Sequence, residues 1–222
     1  MYLLDDKLTF PHPSLANEDG ILAVGGELNV DRLLLAYRNG IFPWFEEGEV
    51  IVWWSPNPRM VLYPDNLRVS KSMRKIIRQK QFTVTFDKAF DEVIENCKTI
   101  YRPDQGGTWI TSEMKKAYSE LHNKGIAHSV EVWEGEELVG GLYGVNVGKV
   151  FCGESMFSKK SNTSKLAFIT LTQELSNQNY FMVDCQMYTD HLASLGAEEI
   201  DRDKFLSDLN RFKDSDSWDF NK

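Results

Sequence analysis

Apolar and polar positions along this chain change period several times, and each change marks an element. Leu33, Leu34 and Tyr37 share one face of a helix at 31–39, with Gly40 placed to stop it. Lys71, Arg74, Lys75 and Arg78 follow i, i+3, i+4, i+7 spacing and predict a second helix, with Met73, Ile76 and Ile77 on the opposing apolar face. Phe82-Thr83-Val84-Thr85-Phe86 alternates as a strand does, and 90–97 returns to a helical period. Thr111 is a good N-cap for a helix that turns Met114, Ala117, Tyr118 and Leu121 inward and closes at Gly125. Runs at 128–133, 138–145 and 150–152, joined by short turns, predict three adjacent antiparallel strands. A helix at 164–176, a strand at 180–184 and a helix at 203–212 complete the pattern.

This order predicts an α+β protein. A small, loop-rich N-terminal domain occupies 1–62, and 63–222 forms a larger domain with a mixed, mostly antiparallel sheet flanked by helices. Gly140, Gly141, Gly144 and Gly148 thin that sheet, for a bulge or for the close approach of a ligand. A sheet of this order with a central splay resembles the N-acetyltransferase (GNAT-like) architecture. The phosphate-cradling Gly-rich turn of those enzymes is absent; Ser158-Lys159-Lys160-Ser161-Asn162-Thr163 stands in its place. An acyl-CoA donor therefore does not fit, and another activated acyl donor is called for.

Composition narrows the classes further. The longest apolar runs fall far short of the ~18 to 20 residues that span a bilayer, and no signal peptide is visible at the start. Three cysteines without a C-x-x-C pair read as free thiols in a reducing cytoplasm. The four histidines lack metal-ligand spacing, so a zinc site is not expected. Net charge is −8, which argues against indiscriminate nucleic-acid binding. Yet no acidic residue lies between Asp65 and Asp87, and the one-signed stripe there suits a phosphate-tracking surface.

The candidate chemistry sits in Gly153-Glu154-Ser155-Met156-Phe157-Ser158 and Asp184-Cys185-Gln186. On a regular strand, Asp184 and Gln186 emerge on one face and Cys185 on the other. A carboxylate and an amide at the rim of an apolar wall can hold and polarise an amine; they can equally cap a strand end. Phe42-Pro43-Trp44 and Trp53-Trp54-Ser55-Pro56 place aromatics on Pro-stiffened loops, where they staple a domain or stack a base. Two rival readings stand beside these: a thiol hydrolase built on Cys185 and His191, and an RNA-binding module whose polar triad is structural.

The stretches 20–28, 32–45, 53–59, 107–111, 127–144, 151–158 and 184–200 closely resemble the leucyl/phenylalanyl-tRNA–protein transferases. Departures are small: Asn57 and Glu27 stand where that family usually has Asp. The resemblance implies a cytoplasmic aminoacyltransferase with neither a metal nor an organic cofactor. It would move Leu or Phe from aminoacyl-tRNA to proteins beginning with Arg or Lys, marking them for degradation. By matched position, Trp109, Leu142, Phe151 and Leu171 line the pocket for the donor's side chain, and Tyr37 and Trp44 receive the terminal adenosine. Asp184 and Gln186 hold the incoming amine, with Asp184 as proton acceptor, and Glu154 pairs with the acceptor's cationic first residue. Lys71, Lys75 and Arg78 follow the acceptor-arm phosphates.

Overall fold

The computed structural model describes residues 1–100, 110–218 and 220. Its N-terminal part pairs β1 (Tyr2–Leu4), β2 (Ile21–Gly25), β3 (Phe42–Pro43) and β4 (Val52–Trp54) in the order β1-β2-β4-β3. Between β2 and β3 lies α1 (Val30–Arg38), capped by Asn29 and packed through Leu33, Ala36 and Tyr37. These short strands replace what sequence alone reads as loop.

β5 (Arg59–Leu62), where the expected N-terminal domain ends, is hydrogen-bonded into the larger sheet. After it come α2 (Lys71–Gln79), β6 (Thr83–Phe86), α3 (Phe90–Thr99), α4 (Ser112–Asn123), β7 (Ala127–Glu134), β8 (Glu137–Val147) and β9 (Val150–Ser158). Then follow α5 (Thr163–Asn177), β10 (Met182–Gln186), α6 (Asp190–Ser194), β11 (Glu198–Ile200) and α7 (Arg202–Phe212). The sheet runs β11-β5-β10-β9-β8-β7-β6. Among its described residues only β9 and β10 pair in parallel, so it is mixed and mostly antiparallel, and β7, β8 and β9 form the expected meander.

Alternation along β9 and β10 sorts the core into two layers. Val150, Cys152 and Met182 face a cluster that joins Leu22, Leu33 and Trp53 of the N-terminal part to Tyr118, Val145 and Phe205. Phe151 and Val183 face the opposite cluster, where α5 contributes Phe168, Leu171 and Leu175. Ser70 caps α2, whose Met73 is buried, but Ile77 is 36% exposed rather than on the buried face. A helix of nine residues with four cationic side chains sits on the rim, and the burial of Met73 anchors it.

The glycines of the meander serve packing within the protein, not the approach of a ligand. A Cβ on Gly144 would lie 2.5 Å from the Phe151 ring, and one on Gly140 would lie 2.4 Å from Thr163 Oγ1. Phe151 therefore crosses the sheet at Gly144.

The parallel pair is short. Met182, Val183 and Asp184 lie against Val150, Phe151 and Cys152; beyond them β9 continues with β8 while β10 finishes against β5. The sheet splays there, and a cleft opens between the two strand ends.

Candidate active site

Both strands that flank the cleft carry a bulge at its mouth. Tyr143 faces Ser155 and Gly144 faces Gly153, so Glu154 is an extra residue in β9. Asp184 faces Val61 and Gln186 faces Met60, so Cys185 is an extra residue in β10. Such insertions twist a strand locally and re-aim its side chains. Gln186 itself takes a positive φ of 65°.

The bulge overturns the expected geometry of Asp184 and Gln186. Strict alternation no longer holds through 184–186, and the two side chains do not sit together at the rim. Asp184 is 1% exposed and forms a two-pronged ion pair with Arg59, at 2.8 Å to Nε and 2.7 Å to Nη2. Arg59 lies over the rings of Phe42 and Phe205, which seal the pair from water. Asp184 Oδ1 also accepts the backbone N–H of Gln186 at 3.0 Å. Asp184 thus has no lone pair turned to a substrate; it fixes the backbone that carries Gln186.

Gln186 and Glu154 do meet, across the cleft. Gln186 Nε2 donates to Glu154 Oε1 at 2.8 Å, and Tyr118 Oη donates to Glu154 Oε2 at 2.8 Å. Tyr37 is hydrogen-bonded to Tyr118 in turn. Burial raises the Glu154 carboxyl to about 7; the hydrogen bonds from the tyrosines and Gln186 oppose that rise, and Asp184 adds to it. Burial, then the nearby Glu154 charge, push both tyrosine hydroxyls well above their ordinary value, so they remain donors. With its amide nitrogen committed to Glu154, Gln186 has its Oε1 available as an acceptor. Glu154, expected to pair with an incoming cation, accepts one hydrogen bond on each oxygen from within the protein, and each oxygen keeps a further acceptor site.

A cavity of about 470 Å³ lies beside this pair. Leu142, Phe151 and Leu171 line it, joined by Phe168, Met156 and Val183, while Glu154 and Gln186 supply polar groups. Trp44 lines it too, brought there by the N-terminal sheet. Trp109 lies outside the described residues. Tyr37 does not line the cavity; at 1% exposure it belongs to the core, because its place with Leu33 and Ala36 on the inner stripe of α1 buries it. Stacking an adenine on Tyr37 is therefore ruled out in this arrangement. Lys71, Lys75 and Arg78 are exposed along α2, away from the cavity lining.

Cys185 and His191 both line the cavity, contrary to the expectation that Cys185 faces away from Gln186. Burial, then the Asp184 carboxylate, push the Cys185 thiol far above its usual range, which leaves almost no thiolate to act as a nucleophile. The thiol-hydrolase reading fails on that point. Sequence reasoning missed Arg59, Tyr118 as a site residue, and Phe168. Arg59 did leave a signal: a lone cation at the head of the apolar run Met60-Val61-Leu62 calls for a buried partner.

A splayed sheet with a fixed amide and carboxylate beside an apolar cavity describes the class: an acyl-transfer enzyme. Comparison with known proteins makes the class specific. Residues 61–210 match the leucyl/phenylalanyl-tRNA protein transferase family, and residues 26–57 match the N-terminal domain of the same family. A leucyl/phenylalanyl-tRNA–protein transferase of Flavobacterium johnsoniae is 60% identical over 94% of this chain and 99% of its own length. Its counterpart in Syntrophus aciditrophicus is 58% identical over 92% of this chain and 85% of its own length. The chain belongs to the leucyl/phenylalanyl-tRNA–protein transferase family and is an aminoacyltransferase. Among solved structures, a GCN5-related N-acetyltransferase from Kribbella flavida aligns at 11% identity and a TM-score of 0.39, over 74% of this chain and 58% of that one. No helix among the described residues is long and apolar enough to cross a membrane.

Proposed function

We propose that the enzyme moves Leu or Phe from aminoacyl-tRNA to the α-amine of proteins beginning with Arg or Lys, in the cytoplasm, and so marks them for degradation. One observation carries the chemistry: Gln186, held through Nε2 by Glu154, lines an apolar cavity and keeps its Oε1 as an acceptor. The donor is an ester of the tRNA ribose and needs no further activation. An acceptor α-amine has a pKa of roughly 7.7 to 8.0, so a neutral fraction exists at cellular pH. Gln186 Oε1 accepts one N–H of that amine and orients its lone pair toward the ester carbonyl. The C–N bond forms, the tetrahedral intermediate collapses, and the ester C–O bond breaks with the ribose oxygen leaving. The amine's surplus proton passes to that leaving oxygen, so no covalent enzyme intermediate is required.

Leu142, Phe151 and Leu171 fit the donor's side chain, and Trp44 offers its indole face to the terminal adenine. Lys71, Lys75 and Arg78 supply charge for the acceptor-arm phosphates. Preference for Arg or Lys at the acceptor follows from the family likeness.

The test is a transfer assay with charged tRNA and peptides that begin with Arg, Lys or Gly. Leu and Phe should be transferred to the first two and Ile or Val poorly, and Gln186→Ala should lower kcat at least tenfold. Transfer by Gln186→Ala at the wild-type rate would remove the amide from the reaction. Equal transfer to the Gly-initiated peptide would remove the acceptor preference.

A further inference from the structure

Residues 61–210 match the family, and Trp218 and Phe220, beyond them, join Phe86 and His128 in an aromatic group behind the cavity wall. Phe220 is 5% exposed and stacks on His128 at 4.0 Å, with ring planes 10° apart. Trp218 stacks on its other side at 3.9 Å, and Phe86 meets both rings edge-on. The platform is fixed in place: His128 Nδ1 bonds Asp87 Oδ2 at 2.7 Å, and Trp218 N donates to Tyr180 Oη at 3.0 Å. Phe220 also packs against Phe151, with ring centroids 6.1 Å apart. Phe151 is fully buried and lines the cavity, and its ring lies across Gly144, where no side chain holds it back.

We propose that Phe220, braced by Trp218, is a specificity-determining positioning residue: it backs the Phe151 ring and so sets how deep a donor side chain can enter the cavity. This rests on the reading of that cavity as the aminoacyl pocket. Phe220 touches no substrate. Close-packed interiors transmit such contacts, because a ring with no neighbour behind it moves into the space left. A pocket whose back wall can recede accepts the larger donor side chain with less strain, and Phe gains over Leu.

The experiment measures kcat/KM for Phe-tRNA and Leu-tRNA in competition, using the full chain, Phe220→Ala, Phe220→Leu and a chain ended at Ser217. In Phe220→Ala and in the shortened chain, the Phe-to-Leu ratio should rise about three- to tenfold, up to the low end of what one methylene produces in an apolar pocket. Phe220→Leu refills part of the space and should shift the ratio less, in the same direction; it decides the matter if Phe220→Ala melts below the assay temperature. A fall in activity that is equal for both donors, with the ratio unmoved, is what a purely structural role gives and overturns the proposal. Leu171→Ala, which alters the cavity directly, is run beside it. A ratio shifted in Leu171→Ala but not in the Phe220 variants sinks this proposal alone; a ratio unmoved in all of them sinks the pocket assignment as well.

Discussion

Asp184 gives both carboxylate oxygens to Arg59, which lies against two aromatic rings, and its contribution is to hold Gln186 in place. Asp184→Ala leaves a buried guanidinium uncompensated and should cost about 3–5 kcal/mol, read as a lowered urea midpoint. Arg59→Met with Asp184→Leu should recover much of that stability while activity stays low, because the brace on the Gln186 backbone is gone. Glu154 gives a pH dependence of known sign. Its carboxyl rises from 4.5 to about 7 on folding, so the native state holds the extra proton. Stability from this group is greatest below the unfolded value and falls as pH climbs toward 7. Glu154→Gln should remove that fall, so the variant gains on the wild type between pH 5 and pH 8; parallel unfolding curves check it. At this scale the sequence singled out Asp184, Gln186 and Glu154 as candidates and misjudged where Asp184 and Gln186 point. Alternation put Asp184 beside Gln186, and a single inserted residue, Cys185, separated them. A bulge leaves no mark in the pattern of apolar residues, whereas burial of Tyr37 was already written in the spacing of Leu33 and Tyr37.

Among the elements, α2 carries its charge outward on a nine-residue helix capped by Ser70. Replacing Lys71, Lys75 and Arg78 with Glu should raise the KM for tRNA and flatten the plot of log affinity against log salt by about 2 to 3 units of slope. The transfer rate at saturating tRNA should change little, since none of the three lines the cavity. An unaltered slope would place the tRNA elsewhere. The helices other than α6, and the strands β7 and β8, were legible because eight or more residues repeat a period clearly. β1, β3, β4 and β11 are two or three residues long, too short for alternation to register, and they became visible only through their hydrogen bonds.

Across the whole molecule, the N-terminal sheet and the large sheet share one apolar cluster that includes Trp53, Tyr118 and Phe205. The two parts should therefore unfold together. Leu33→Ala, in that shared layer, should cost about 2–5 kcal/mol and shift tryptophan fluorescence and far-UV circular dichroism by the same amount. Separate transitions would show two independent units. Element order alone conveyed the α+β class and the mixed sheet, but contact between the two parts was not legible, because it depends on distant surfaces meeting.

Where β9 and β10 part company, beyond Cys152 and Asp184, no rung of the ladder joins the two strands among the described residues. Such an opening suits a visitor that brings main-chain groups of its own. The first residues of a polypeptide, drawn out straight, have that form; a terminus already wound into a helix has used those groups and arrives with nothing to offer.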